Sequence, residues 1–406
     1  MLLSGVNFLI GLALIRFATK EAYGLYSQLF GVSILTASLL EALIGSVLTT
    51  LVIRMPVAER SGFVARAFRL QLSASAVFSI ACGVSLWGLS LWTASSESPL
   101  LLAISFALFI FALSCREFCR TALFAQSRPD RVILMDLVFV VMTVFAGGAF
   151  VWRGHATVVG IVSLLAVTNF LAAVMFGRQL LALAGTGRLW PHYRKDIRTL
   201  WSMGRWALIG AVVAWLVNSG YLYFAGGFLG VAALADLNAA RLLLIPISLV
   251  AVAWSRVARP TIGALVAASD WSKHRHLLVV STLVMEGFAV TYVGGLLLGF
   301  PWLSAHVLGE KYQHVAGLLM LWGVYFAVNS ARNVGTTSLA SFGAFRALFW
   351  QGLLSAVILV MTCLIAIPRF GVQGALAAMI AVEVSELLVN WFYLLPRARQ
   401  SLLRLG

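Results

Sequence analysis

Twelve stretches of this chain are apolar enough to cross a bilayer, and nearly all of its positive charge falls in alternate gaps between them. Windows of about 20 apolar residues lie at 2–17, 26–53, 70–92, 100–124, 132–152 and 158–176. They recur at 201–228, 237–257, 277–300, 315–331, 345–367 and 372–395. In hydrocarbon every backbone N–H and C=O needs a partner inside the protein. Unbroken runs of this length suit helices, because barrel strands of about ten residues alternate in polarity. With 61% hydrophobic and 11% charged residues, against about a quarter charged in soluble domains, the bilayer is the solvent.

A formal charge of +15 raises nucleic acid as a partner, but such binders gather Lys and Arg on one soluble face. Here the charges are spread over loops. All except Arg16, Lys20, Arg153, Arg241, Lys311 and Arg369 fall in the even gaps, at the span ends that border them, or in the C-terminal tail. The positive-inside bias then places both termini and the even gaps in the cytoplasm of a bacterial cell, with the chain in its inner membrane. Trp87, Trp92, Trp152 and Trp302 near outer ends, and Trp190, Trp201, Trp206 and Trp271 near inner ones, fit interfacial belts.

The longest polar gap, with Pro191, His192, Arg194, Lys195, Asp196 and Arg198, separates two sets of six spans. Residues 1–180 and 201–406 are expected as six-helix bundles around a central cavity, joined by a cytoplasmic linker at 181–200, in an all-α integral membrane fold. Six spans return the chain to the side it started from, as a parallel duplication requires. Phe17-Ala18 before Tyr23-Gly24 in one half, and Phe224-Ala225 before Leu229-Gly230 in the other, are its trace. The first span is short and lacks a basic lead and a small-residue cleavage site. It reads as an anchor rather than a removable signal, with the start upstream or the helix thinly inserted.

Enzymatic alternatives fail on their motifs. The chain has no G-x-x-x-x-G-K-[ST] loop, no H-E-x-x-H and no paired C-x-x-C ligands, so no cofactor, no metal and no catalytic residue is called for. Cys82, Cys115, Cys119 and Cys363 all fall inside spans, where small packing residues are the plain reading. The six histidines lie in loops or at span ends, not as an intramembrane relay.

The segment Arg16-Phe17-Ala18-Thr19-Lys20-Glu21-Ala22-Tyr23-Gly24-Leu25-Tyr26 resembles the junction after the first helix of Wzx-like polysaccharide-transport flippases, in the multidrug/oligosaccharidyl-lipid/polysaccharide (MOP) superfamily. Leu229-Gly230 through Ala240, with Pro246 and Pro260, is similar to that family's seventh-to-eighth helix passage. Val307-Leu308-Gly309-Glu310-Lys311-Tyr312 resembles its outer loop. Pro368-Arg369-Phe370-Gly371-Val372-Gln373-Gly374-Ala375 resembles the start of a late helix that often carries an acid, here Glu383. Asn218 and Ser219 stand where the family commonly has Asp. The resemblance implies a flippase that carries a polyprenyl-pyrophosphate-linked oligosaccharide from the cytoplasmic to the outer leaflet by alternating access. The product would serve capsule, exopolysaccharide or O-antigen assembly. It also implies H⁺ or Na⁺ coupling, membrane lipids as partners and contact with a glycan assembly machinery.

Ionisable residues at membrane depth are expensive and therefore functional candidates. Arg16 and Arg241, one in each half, are the candidates for binding pyrophosphate, because a guanidinium offers a planar two-point donor that stays charged. Snorkelling to headgroups is the plainer alternative, as is an ion pair of Arg241 with Asp236. Arg116 and Arg120, four apart on one helix face, are candidates for a cytoplasmic gate or first docking site, or for an ordinary interface anchor. Glu41, Glu286, Glu383 and Glu386 are the coupling-ion candidates, against interhelical hydrogen bonding. Pro246, read as mid-span, is the candidate hinge, since proline there removes a backbone hydrogen bond. Two other functions stay open: a multidrug or cation antiporter of the same superfamily, whose cavity should be acidic, and a membrane glycan polymerase, which needs a sizeable outer loop.

Overall fold

The computed structural model describes residues 2–90, 98–152, 157–182 and 190–403, and among them every regular element is helical. Trp92, Arg153, His155, Arg188 and Arg404 lie outside the described residues, as does 183–189 of the expected linker. The helices are α1 (Leu2–Phe17), α2 (Lys20–Arg54), α3 (Val57–Ser90), α4 (Pro99–Ala125), α5 (Pro129–Trp152) and α6 (Val158–Ala182). After them come α7 (Trp190–Leu229), α8 (Val231–Leu243), α9 (Ile245–Ala267), α10 (Trp271–Leu298), α11 (Ala316–Ser341) and α12 (Phe345–Leu388).

Among the described residues ten runs are long and apolar enough to cross a membrane, and the last of them, Phe345–Ser401, is 57 residues. That is too long for one crossing. At Gly371 the backbone turns to φ 58°, ψ −134°, a region open essentially to glycine alone, and the chain doubles back. Gln351 Nε2 consequently donates to the carbonyl of Glu386 at 3.3 Å. The hairpin divides that run into two arms, and α1 is a further, shorter apolar helix. At 16 residues α1 spans about 24 Å, short of the ~30 Å of a hydrocarbon core.

The junction after α1 shows why its residues are as they are. Thr19 is extended and its hydroxyl accepts from the Ala22 N–H at 3.2 Å, capping α2. Later in α2, Glu41–Gly45 forms a π-turn. Such turns re-aim a side chain without ending the helix, and here the carboxylate of Glu41 is laid against Gly45, where any Cβ would collide with it.

Packing divides the chain into two units, Met1–Trp215 and Leu216–Gly406. The boundary falls inside α7. In the first unit α4 is the axle, packed on α3 and α6. Ser163 donates to Ser105 at 2.9 Å, and Trp215 Nε1 donates to the Gly31 carbonyl at 2.8 Å. In the second unit α11 takes that place, with Trp322 fully buried and its Nε1 donating to the Leu237 carbonyl at 2.9 Å. Polar contacts of this kind hold helices together where lipid removes any hydrophobic drive.

Candidate functional site

In the first unit, α1, α2, α4, α5 and α6 line an open cavity of about 470 Å³ bordered by Glu41, Arg116, Glu117, Arg120 and Asn169. The volume is that of an ordinary small-molecule site. Arg116 is 3% exposed. One of its nitrogens, Nη2, reaches Glu117 Oε1 at 2.6 Å, and its guanidinium stacks on Phe139 at 4.0 Å from the ring centre. Arg120 is shared between Glu117 Oε2 at 3.4 Å and Asp136 Oδ2 at 3.3 Å. Thr121 donates to Glu41 Oε2 at 3.0 Å. The cavity thus brings Glu41, read from sequence as a coupling-ion candidate, together with Arg116 and Arg120, read as a gate or docking pair. Arg116 is buried too deeply to act as an interface anchor.

The second unit holds a closed ion triad. Arg332 Nε meets Glu383 Oε2 at 2.6 Å, and its Nη1 meets Glu386 Oε2 at 3.1 Å. Asn329 donates to the remaining oxygen of Glu383 at 3.0 Å and receives from Asn333 at 3.2 Å. Two coupling candidates, Glu383 and Glu386, are thereby joined to an arginine that the charge pattern had counted as a cytoplasmic loop residue. Arg332 instead lies well inside α11, which continues to Ser341.

Arg241, near the end of α8, is half-buried and donates to the Tyr221 hydroxyl at 3.1 Å. It lies over the Tyr221 and Trp322 rings at 5.9 and 5.4 Å, distances at which ring faces attract a cation. Asp236 on the same helix pairs with His314 at 3.2 Å. Arg16 is exposed in the last turn of α1. Glu286 is partly buried on α10, with Oε1 lacking a hydrogen-bond partner. Pro246 corrects the sequence reading: it stands in the first turn of α9, where its missing N–H costs no helical bond. The chain does break there, at Leu244, with φ −98° and ψ 0°.

Compared by sequence, the chain matches no protein-family model and no curated protein. Solved structures are similar along nearly the whole chain. An inward-facing multidrug resistance MATE family transporter of the MOP superfamily superposes with a TM-score of 0.78 at 14% identity, covering 98% of this chain and 95% of that one. The lipid II flippase MurJ in an inward closed conformation gives 0.75 at 10% identity, covering 98% and 87%. A MOP superfamily transporter from Pyrococcus furiosus, described as having a binding pocket of reverse polarity, gives 0.64 at 14%, covering 99% and 93%. At such identities the likeness speaks for the fold. Among its described residues the chain shares the all-helical fold of these solved structures, which are described as transporters and a flippase.

Proposed function

We propose that this protein is a bacterial inner-membrane flippase of the Wzx-like kind, moving a polyprenyl-pyrophosphate-linked oligosaccharide from the cytoplasmic to the outer leaflet for polysaccharide assembly. The observation that carries the reading is a buried guanidinium beside a cavity: Arg116 is 3% exposed and borders about 470 Å³ of open space. A buried charge is costly, and a group that binds a diphosphate gives it a use. The fold shared with MurJ, described as a lipid II flippase, supports a lipid cargo.

In this reading Arg16 and Arg241 bind the pyrophosphate, with the Tyr221 and Trp322 rings presenting Arg241. Arg116 and Arg120 act as the first docking site or gate. Glu41 and Glu286 are the simpler coupling-ion sites. Coupling through Glu383 or Glu386 would run through release of Arg332. Leu244, with Pro246 just after it, is the hinge.

One observation favours the rival superfamily function. Glu41, Glu117 and Asp136 surround the same cavity arginines, and carboxylates suit an organic cation. Purified protein in proteoliposomes separates the two. We expect it to expose a fluorescent polyprenyl-pyrophosphate glycan to an external enzyme, with Arg16→Ala and Arg241→Ala defective, and not to drive ethidium efflux under a proton gradient. Efflux without glycan movement would establish the antiporter instead.

A further inference from the structure

The two units carry the same helix pair, and the pair has been altered in one of them. Ser114-Cys115-Arg116 in α4 and Ser330-Ala331-Arg332 in α11 stand in register, followed at equal distances by Thr121-Ala122-Leu123 and Thr337-Ser338-Leu339. The helices end alike. The N–H groups of Ser127 and Arg128 return to the carbonyls of Phe124 and Leu123, as those of Gly343 and Ala344 return to Ala340 and Leu339. Ser127 and Gly343 both take positive φ, 58° and 73°. α9 closes in the same way at Ser269, so the cap is not peculiar to this pair, and the correspondence rests on the Ser-x-Arg and Thr positions at equal spacing.

The partner helices align as well. α6 starts at Val158, two residues before Gly160, and the second arm of the α12 hairpin starts at Val372, two residues before Gly374. In that register Asn169 stands where Glu383 does, and Ala172 where Glu386 does. Contacts within the first unit agree. Ser105 meets Ser163, and Cys119 Sγ lies 3.9 Å from the Ala173 carbonyl, so Arg116 and Asn169 share a level between those two contacts.

The second unit therefore supplies two carboxylates to its arginine, whereas the first unit has an amide, Asn169, and a methyl group, Ala172, at the matching positions. The consequence is visible in the hydrogen bonds. Arg116 Nε and Nη1 have no partner, and neither does Asn169 Oδ1, although Arg116 and Asn169 are 3% and 1% exposed. Both residues face the 470 Å³ cavity. Unpartnered donors on a buried guanidinium are costly unless something fills them.

We infer that an exogenous oxyanion takes, on Arg116, the place that Glu383 and Glu386 take on Arg332. One of its oxygens accepts from Nε or Nη1, which lie on different edges of the guanidinium, once Arg116 turns toward the cavity, and a hydroxyl or N–H of the same ligand donates to Asn169 Oδ1. The chemistry is that of a phosphoryl or carboxylate group, and the inference rests on the proposed flippase reading only for its source, a carrier diphosphate or an acidic sugar. The charged groups around it are Glu117 and Asp136, which balance Arg116 and Arg120, and Glu41, which accepts from Thr121.

The test rebuilds the second unit's chemistry in the first. Asn169→Glu should pair with Arg116 and leave no vacancy, while Asn169→Gln keeps polarity without charge. Calorimetry on purified protein with inorganic pyrophosphate, and separately with glucuronate, should show binding by the wild type and by Asn169→Gln, and a loss of at least about tenfold in Asn169→Glu, the scale of one charged hydrogen bond. The stronger of the two anions identifies the source. Arg116→Gln should lose the same affinity and Arg332→Gln should not, which decides the matter if Asn169→Glu does not insert. Absence of binding of either anion to the wild type, or undiminished binding to Asn169→Glu, overturns the inference. Anion binding abolished by Asn169→Glu without glycan flipping would leave it standing and remove the flippase reading. Flipping untouched by Asn169→Glu would do the reverse.

Discussion

Arg332 offers the sharpest quantitative test, because its worth can be set against Arg116 in the same molecule. Arg332 meets two carboxylates whose side chains are 5% and 11% exposed. A charge pair at about 4 Å gains ~4 kcal/mol at an effective dielectric near 20. Neutral hydrogen bonds between membrane helices average about 0.6 kcal/mol and reach about 1.7. A double-mutant cycle of Arg332→Gln and Glu383→Gln should therefore return a coupling of about 2–4 kcal/mol, above the hydrogen-bond ceiling. Arg116 and Glu117 are adjacent in sequence, and the Glu117 side chain is 31% exposed, so solvent screens the pair. Its cycle should give under about 1 kcal/mol. Both cycles can be measured as reversible unfolding in mixed micelles titrated with a denaturing detergent. A coupling for Arg332–Glu383 no larger than that for Arg116–Glu117 would refute the view that one copy is neutralised internally and the other is not.

Three further outcomes are expected. Glu41→Gln removes the carboxylate left unbalanced near Arg116, so pyrophosphate affinity should rise severalfold in calorimetry; a fall would place Glu41 on the ligand's side. Arg241→Ala should cut glycan flipping by more than about tenfold, whereas Tyr221→Phe, which loses one hydrogen bond and keeps the ring, should stay within about tenfold; equal defects in the liposome assay would deny Arg241 a separate role. Gly371→Ala forces a side chain into φ 58°, ψ −134°, at a cost of roughly 1–3 kcal/mol, and should lower the denaturant midpoint of detergent-solubilised protein; an unchanged midpoint would mean that the hairpin forms by another route.

Helix number was legible before any coordinates, because hydrocarbon admits few ways to satisfy a backbone and the apolar runs have the length it requires. The Arg16 to Tyr26 motif was legible as a junction, and Thr19 proves to be the cap that makes it one. Arg332 was misread because it follows an apolar run and precedes a gap, which is also how a loop cation looks. Its recurrence with Arg116 in the Ser-x-Arg register was the available signal. The bend at Leu244 was anticipated for the wrong reason, since proline opens α9 rather than interrupting it.

Hydropathy and charge were enough to identify a many-helix membrane chain, because both are summed over many residues and tolerate local ambiguity. Which buried charges are neutralised emerged from side-chain packing: Arg332 by Glu383 and Glu386, and Arg116 on one nitrogen alone. Pairing depends on side chains from helices some fifty residues apart meeting at one level to within an ångström, and no one-dimensional pattern encodes that distance.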